Sequence, residues 1–260
     1  MARITFLGTG GGRFATIYQI RNTGGIFLED GTRLHLDPGP GALANMRRLS
    51  IDPGKLDGLL VSHCHPDHYT EAEVLLEGMV RGGFKKRGTL VASESVLSGV
   101  QGIGPAISEY HQALPERVVT ARPGSKVTVG GVLIEATRTV HGDPTGVGFK
   151  FHTSGGLISY VSDTQLTPEV VDDHRGARVL VVPLTRPLAS GVPHHLSTEG
   201  ACSMIGEIGP EMAVLTHFGM KLLHDGVQEQ VDYIERGTGV RTVAATDLMS
   251  VRIGERITLR

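Results

Sequence analysis

His63-Cys64-His65-Pro66-Asp67-His68 places three imidazoles and one carboxylate within six residues, directly after the apolar run Gly58–Val61. If a strand ends at the first histidine, residues two apart point the same way, so the first two histidines can bind one ion. The turn imposed by the proline directs the aspartate and the third histidine toward a neighbouring position. Four side chains divided in this way predict two adjacent metal ions.

The residue types narrow the choice of metal. Imidazole and carboxylate are ligands that zinc, manganese and iron(II) prefer, whereas copper(I) and iron–sulfur clusters select thiolates. Cys64 stands between the ligands and points the other way if its neighbours face the metals. We therefore expect two divalent ions, with Zn²⁺ as the first choice and Mn²⁺ or Fe²⁺ as alternatives.

The spacing His-x-His-x-Asp-His resembles the signature of the metallo-β-lactamase superfamily. Three further ligands implied by that resemblance each follow a strand-like run: His141 after Val132–Val140, Asp163 after Leu157–Ser162, and His217 after Met212–Thr216. The resemblance assigns His63, His65 and His141 to one ion, Asp67, His68 and His217 to the other, and Asp163 to both. It implies a hydrolase in which Asp67 orients a bridging hydroxide.

Short apolar runs alternate with helical patterns along the chain. Strands are predicted over Ile4–Leu7, Ile26–Glu29, Leu34–Asp37, Gly58–Ser62 and Leu90–Ala92. Helices are predicted over Glu71–Val80, Ser95–Val100, Thr198–Ile208 and Val227–Arg236, with Ser197 and Gly237 as caps. This order suits the α/β class and the four-layer αββα sandwich that the resemblance implies. We expect residues 1–260 to form a single domain.

Composition restricts the compartment and the partners. The 25 basic and 27 acidic residues leave a net charge of −2, so no overall basic field gathers nucleic acid. The two cysteines cannot build a disulfide framework, and neither a signal peptide nor a membrane-spanning apolar run is present. These features predict a cytoplasmic protein without a membrane partner.

The segment Pro193–Ala201 contains a further candidate catalytic residue. His195 precedes a predicted helix and resembles the extra histidine of the ribonuclease Z and cyclic-phosphate phosphodiesterase branches. The resemblance implies that it stabilises charge on a phosphate or protonates a leaving group, which an imidazole can do near neutral pH. Between the adjacent histidines we select His195 over His194, because only His195 has the Leu-Ser/Thr continuation.

The distance between two predicted ligands indicates the size of the substrate. His141 and Asp163 stand 22 positions apart, which leaves no room for the long arm with which ribonuclease Z proteins grip tRNA. A small-molecule or nucleotide phosphodiester is therefore the expected substrate. A ribonuclease Z-like RNA endonuclease and an ester, thioester or lactone hydrolase are alternatives, and a metal-binding protein without turnover is a third. The family resemblance also allows a homodimer.

Three secondary expectations concern residues outside the predicted ligand set. We expect Gly10–Gly12 to form a plain β-turn rather than an anion-binding nest. Asp247 follows a strand-like run, and we expect either a structural turn or a hydrogen bond to a ligand histidine there. Cys64 and Cys202 are not expected to be catalytic.

Overall fold

The computed structural model describes all 260 residues as an alternation of strands and helices. The strands are β1 (Ala2–Phe6), β2 (Ile26–Glu29), β3 (Arg33–Leu36), β4 (Gly58–Val61), β5 (Thr89–Ser93), β6 (Arg117–Ala121), β7 (Lys126–Val129), β8 (Val132–Arg138), β9 (Val147–Thr153), β10 (Gly156–Tyr160), β11 (Val179–Pro183), β12 (Met212–Thr216), β13 (Thr242–Ala244), β14 (Ser250–Ile253) and β15 (Ile257–Leu259).

The helices between them are mostly short. They are α1 (Gly12–Tyr18), α2 (Ala42–Arg48), α3 (Pro66–Tyr69), α4 (Ala72–Met79), α5 (Glu94–Leu97), α6 (Glu109–Gln112), α7 (Pro168–Asp173), α8 (Thr198–Ile208), α9 (Met220–Asp225) and α10 (Val227–Thr238), with a 3-10 turn at Pro53–Lys55.

The strands form two mixed sheets. The first has the order β15-β14-β1-β2-β3-β4-β5-β6, and the second has the order β13-β12-β11-β10-β9-β8-β7. Strands β3 to β6 run parallel in the first sheet, and β10 to β13 run parallel in the second. Since parallel strands end at the same edge, the residues that follow them gather there.

Three apolar layers hold the sheets and helices together. The central layer joins the facing sides of the two sheets, with Phe6 and Phe149 among its fully buried side chains. An outer layer packs the first sheet against helices that include α4, through Leu75 and Met79. The other outer layer packs the second sheet against helices that include α8, through Met204. The αββα arrangement expected from the resemblance is thus confirmed.

The predicted elements agree with the structure to within two residues at each end, except at two places. The helix predicted to end at Gly237 continues to Thr238 and ends at Gly239, which adopts the left-handed conformation with φ 69°. Gly237 lies inside the helix, where an added Cβ would stand 2.8 Å from the Cys202 sulfur of α8. The cap prediction was therefore wrong, because that glycine serves close helix packing. The second difference concerns the helix predicted over Ser95–Val100, which in the structure is the shorter, four-residue α5.

The segment between His141 and Asp163 contains β9, a short turn and β10, so no additional arm is inserted there. This agrees with the expectation that the interval leaves no room for a long arm. No helix combines the length and the apolar character needed to cross a membrane.

Candidate metal centre

The segment His63–His68 leaves the edge of the first sheet immediately after β4. Two buried carboxylates fix its backbone: the Ser62 amide donates to Asp37 Oδ1 at 2.7 Å, and the Cys64 amide donates to Asp143 Oδ2 at 2.8 Å. As a result His63 and His65 point together, with Nε2 of the former 3.0 Å from Nδ1 of the latter.

Pro66 is the first residue of α3, and this short helix turns the chain as the sequence predicts. The turn carries Asp67 and His68 away from the first two histidines and toward the second sheet. There the Nε2 atom of His68 lies 3.3 Å from Nε2 of His217. Oδ2 of Asp67 lies 3.2 Å from the same atom of His217.

The other three predicted ligands come from the second sheet, each just beyond the end of a strand. His141 follows β8, Asp163 follows β10 and His217 follows β12. His141 Nε2 lies 3.0 Å from His65 Nδ1, and Asp163 Oδ2 lies 3.2 Å from His217 Nε2. The structure therefore brings all seven predicted residues to one place between the two sheets.

The seven side chains divide into overlapping groups that could each hold an ion. In each group the donor atoms lie within 4.8 Å of one another. The groups are His63, His65 and His141; Asp67, His68 and His217; and His63, His68 and Asp163. The Oδ2 atom of Asp163 stands between the first two groups, 3.8 Å from His141 Nε2 and 3.2 Å from His217 Nε2. The first two groups are the two ligand sets that the resemblance implied.

Hydrogen bonds on the outer side of the rings direct lone pairs inward. The Nδ1–H of His68 donates to Asp37 Oδ2 at 2.9 Å, and the Nδ1–H of His141 donates to the His194 carbonyl at 2.9 Å. In a neutral imidazole a protonated Nδ1 leaves Nε2 as a lone pair, which is the form that coordinates a metal. The buried Oδ1 atom of Asp163 has no hydrogen-bond partner in the protein. The residues are thus positioned to bind metal, with Oδ2 of Asp163 facing the ligand histidines and Oδ1 left without a partner in the protein.

The electrostatics of the site also call for positive charge. Burial raises the pKa of Asp163, but the neighbouring His217 and His68 outweigh burial and hold that pKa well below the usual range. Burial lowers the pKa of His217, but Asp163 and Asp67 outweigh it and raise that pKa. Two ionised carboxylates in a buried site need compensating cations, supplied here by protons or by metal.

His195 lies beside the predicted ligands, at the edge of a cavity. Its ring centroid is 5.0 Å from that of His141, and its Nε2 is 3.9 Å from Asp163 Oδ2. The adjacent His194 is exposed, and only its backbone carbonyl contacts the site, through His141. The structure therefore brings His195, and not the His194 side chain, to the candidate centre.

The cavity in front of the site has a volume of about 890 Å³. It opens between α1 and the segment that precedes α8, and His65, Asp67, Asp163 and His195 form part of its wall. A volume of this size fits a small-molecule or nucleotide ligand.

Two carboxylates that support the candidate ligands were not predicted from the sequence. Asp37 accepts hydrogen bonds from Ser62, His68 and the Tyr160 hydroxyl, and Asp143 accepts from Cys64, Ser95 and Thr145. Asp37 follows β3 directly, so its place at a strand end was the available signal. Of the two alternatives predicted for Asp247, the structure has the structural turn: its carboxylate accepts from the Thr9 hydroxyl and the Asn22 amide and not from a histidine.

The glycine run also differs from its predicted β-turn. Gly10 and Phe218 form a β-bridge, which places the run flat against His217. A Cβ on Gly11 would lie 2.2 Å from the His217 ring, and Gly12 begins α1. The Gly12 amide donates to Asp67 Oδ2 at 2.7 Å. Gly11 is therefore required by close packing against His217, and the Gly12 amide supports Asp67.

Comparisons with known proteins agree with this geometry. A family model described as "Beta-lactamase superfamily domain" matches residues 32–218. The uncharacterized protein MJ1374 of Methanocaldococcus jannaschii is 38% identical over 245 residues, which cover 93% of this chain and 91% of that protein. A ribonuclease Z of Kineococcus radiotolerans is 25% identical over 180 residues, which cover 65% of this chain and 57% of that protein.

The fold is shared with a solved structure described as a diphosphatase from the PhnP family. The TM-score is 0.73 at 18% identity, and the match covers 98% of each chain. At this identity the similarity shows the fold alone.

Proposed function

The chain belongs to the beta-lactamase superfamily, whose domain model spans residues 32–218, and we propose that it is a dinuclear metal-dependent phosphodiesterase for small or nucleotide phosphodiesters. The observation that carries this proposal is the position of His195, which lies beside the candidate metal centre and lines the adjoining cavity. A relative named ribonuclease Z and a structural neighbour described as a diphosphatase support phosphate chemistry.

We assign the seven clustered residues to two ions as the sequence predicted. His63, His65 and His141 would hold one, Asp67, His68 and His217 the other, and Asp163 would contact both. Two bound divalent ions, Zn²⁺ in our proposal and Mn²⁺ or Fe²⁺ as alternatives, would supply Lewis acidity and a hydroxide at neutral pH.

One carboxylate oxygen of Asp67 is hydrogen-bonded within the protein and the other is not. Its Oδ2 accepts from the Gly12 amide and contacts His217, whereas Oδ1 accepts no hydrogen bond from the protein. The Gly12 contact fixes the orientation of the carboxylate. Oδ1 is therefore free to accept a proton or a hydrogen bond from the attacking water and to orient it.

His195 is held with one nitrogen toward the cavity. Its Nδ1–H donates to the Pro193 carbonyl at 3.1 Å, which leaves Nε2 facing the side of Asp163. In the imidazolium form Nε2 carries a proton that can neutralise charge on a phosphate or pass to the leaving alcohol. The ring is only 26% exposed, so the cavity limits competition from water.

Hydrolysis of bis(p-nitrophenyl) phosphate by metal-loaded protein tests this function. His195→Ala is expected to retain its metals and to lose about 100-fold or more in kcat, the usual contribution of general acid catalysis. His152→Ala is the matched control, because His152 is exposed on β9 and pairs with Glu135 instead. Absence of activity with zinc, manganese and iron, or full activity of the His195 variant, would contradict the proposal.

Hydrolysis of an ester, thioester or lactone is the principal alternative within the same chemistry. It needs the same nucleophile but no group dedicated to phosphate charge. A panel containing a lactone and a thioester, assayed beside the phosphodiester, separates the two: His195→Ala should impair phosphodiester turnover far more than lactone turnover. A protein without turnover on any of these substrates would be a metal-binding protein instead.

An RNA endonuclease is the second candidate function, and the relative named ribonuclease Z favours it. The segment Arg81–Gly88 combines cations with Phe84, which is 88% exposed, and such a combination suits single-stranded nucleic acid. This segment precedes the amino end of β5, whereas the metal site follows the carboxyl end of the parallel strand β4. The segment and the metal site therefore lie at opposite ends of the sheet and do not adjoin. Cleavage of a tRNA precursor at a higher kcat/KM than small diesters would favour this function over ours.

We further propose a homodimer formed through α1. Ile17, Tyr18 and Ile20 are each more than 60% exposed on and just beyond this helix, so a short patch at its carboxyl end presents apolar side chains to solvent. A second copy is the occupant that this short patch suits, because the same surface on both partners would be buried about a two-fold axis. Light scattering should give twice the chain mass, and Ile17→Glu should give a monomer. A monomeric wild-type protein would contradict this.

A further inference from the structure

The cavity wall beside the candidate metal centre carries several cations and few anions. Arg13, Arg186 and Lys221 line it, and the only acidic residues in the wall are the candidate ligands Asp67 and Asp163. Because the whole chain carries a net charge of −2, this concentration of positive charge is a local feature of the cavity.

Two of these cations have no carboxylate partner. Lys221 pairs with Asp225 at 2.9 Å, whereas Arg13 and Arg186 take part in no ion pair within the protein. Unpaired guanidinium groups beside a metal-binding site repel both each other and the bound ions. Such an arrangement is stabilised when an anionic ligand occupies the cavity.

Arg186 is held in position by its surroundings. Its amide donates to the Leu196 carbonyl at 3.3 Å and its own carbonyl accepts from the Thr198 amide at 3.1 Å, which closes the loop that carries His195. The Nε–H donates to the Ser190 carbonyl at 2.9 Å. The two terminal nitrogens have no acceptor in the protein, and Arg186 is part of the cavity wall, so its held guanidinium offers a fork suited to a phosphate.

Arg13 and Phe14 complete this part of the wall from α1. Arg13 is exposed and makes no hydrogen bond, and Phe14 is 64% exposed beside it. The ring can stack on a planar base while the two arginines bind an anion. A simple diester carries a single negative charge, which the metal ions and His195 would neutralise. It would therefore leave both arginines without a partner.

We infer that the cavity takes nucleotide phosphodiesters that carry a second phosphate, bound by Arg186 and Arg13, with the base against Phe14. This inference rests on the proposed phosphodiesterase function and names its substrate class. Arg186 and Arg13 would then determine specificity.

Two substrates that differ only in the second phosphate provide the test. They are thymidine 5′-(p-nitrophenyl phosphate) and the same compound with a 3′-phosphate. We expect the wild-type kcat/KM to be about 10-fold or more higher for the compound with the 3′-phosphate, since a charge-assisted pair contributes about this factor. In Arg186→Gln this ratio should fall to near 1, and in Arg13→Gln it should fall about threefold.

Arg47→Gln is the matched control, because Arg47 is exposed on α2 and does not line the cavity. It should keep the wild-type ratio. A wild-type ratio near 1, or an undiminished ratio in Arg186→Gln, would overturn the inference. If Arg186→Gln fails to fold, Arg13→Gln still decides the question, because Arg13 bonds to no other residue and its replacement leaves the fold intact.

A binding measurement separates failure of this inference from failure of the proposed function. Calorimetry of the metal-loaded protein should show tighter binding of thymidine 3′,5′-bisphosphate than of thymidine 5′-monophosphate, and the difference should vanish in Arg186→Gln. If neither substrate is hydrolysed but this difference is found, the phosphodiesterase function fails and the anion site stands. If both substrates are hydrolysed equally and both nucleotides bind equally, the anion site fails and the function stands.

Discussion

The two sheets contribute to the candidate metal centre in different ways. The first sheet supplies four residues from one continuous segment, His63–His68, anchored by the buried carboxylates Asp37 and Asp143. The second supplies three residues from three separate strand ends, supported by neutral groups such as the Thr185 hydroxyl and the His194 carbonyl. A segment that leaves its sheet has amides without strand partners, so it needs strong acceptors, whereas a single residue one to three positions beyond a strand is held by the strand directly before it.

Replacement of Asp37 tests the charged anchor and should have the largest effect. Its carboxylate accepts four hydrogen bonds from three residues, so Asp37→Asn removes the charge and sets an amide against a donor. Asparagine tolerates the left-handed backbone found there, φ 54°, which isolates the effect of the charge. We expect a loss of about 3 kcal/mol in the free energy of unfolding, measured with urea, and a metal affinity about 10- to 100-fold lower.

Asp247→Asn is the control for this change. Asp247 also accepts two hydrogen bonds, from Thr9 and Asn22, but it contacts no candidate ligand. It should lower stability while metal content, measured by mass spectrometry, stays at the wild-type level. Equal metal loss in both variants would show that Asp37 acts on stability alone.

Gly11→Ala tests how tightly the second sheet's His217 is packed. The new methyl group would overlap the His217 ring, which is buried and has no room to move aside. We expect the protein to bind one metal ion fewer and to lose about 1–3 kcal/mol of stability. Gly142→Ala is the control, because its Cβ would lie 3.8 Å from His65, an ordinary contact. Metal content equal to that of the control would contradict the packing argument.

Acid titration tests whether the two sheets lose stability over the same range of pH. Burial lowers the pKa of His35, in β3, to about 4 and that of His174, after α7, to about 4. Between pH 6.5 and about 4 the unfolded chain binds a proton at each site that the folded chain does not bind. The free energy of unfolding therefore falls as the pH falls, by up to about 3 kcal/mol per histidine.

Replacing either histidine with glutamine should reduce this fall in the free energy of unfolding, by a similar amount for each. Urea unfolding at pH 7 and pH 4.5 measures it. Glutamine is chosen because it can keep the hydrogen bond that His35 makes to the Gly24 carbonyl and that His174 makes to Ser159. If the free energy of unfolding fell with pH as steeply in both variants as in the wild type, other groups would be responsible for the loss of stability in acid.

Thr185→Val tests the neutral support of the second sheet and should have the smallest effect. The Thr185 hydroxyl lies 3.1 Å from Nδ1 of His217, so its loss removes one hydrogen bond from a ligand. We expect about 1 kcal/mol less stability and a metal affinity about 10-fold lower. Thr137→Val is the control: its buried hydroxyl has no partner, so that replacement should be neutral or stabilising. A larger metal loss than in Asp37→Asn would reverse the comparison between the two sheets.

The sequence was most informative where the site is local. The His63–His68 segment could be read directly because its ligands are neighbours in the chain, and the three ligands of the second sheet could be found because each follows a strand-like run. The anchors could not be found in this way. Asp37 lies 31 positions from His68, and only the parallel pairing of β3 with β4 brings them together.

Glycines were misread for a related physical reason. A glycine near a predicted helix end is equally consistent with a left-handed cap and with close approach of another element. Gly237 serves the second purpose because Cys202 of α8 packs against it, and Gly11 lies against a histidine 206 positions along the chain. Which purpose applies is decided by contacts between distant residues, and these have no local signature.

The loop from Arg186 to Ser197 has a consequence for how such proteins diverge. Its stem is closed by main-chain hydrogen bonds, which do not depend on the identity of the side chains within the loop. The exposed residues 191–193 between the two ends can therefore be inserted, deleted or exchanged at little cost to the sheets. Since this loop also carries Arg186 and His195 to the cavity, homologues can acquire new substrates by altering this one exchangeable module while the metal ligands stay unchanged.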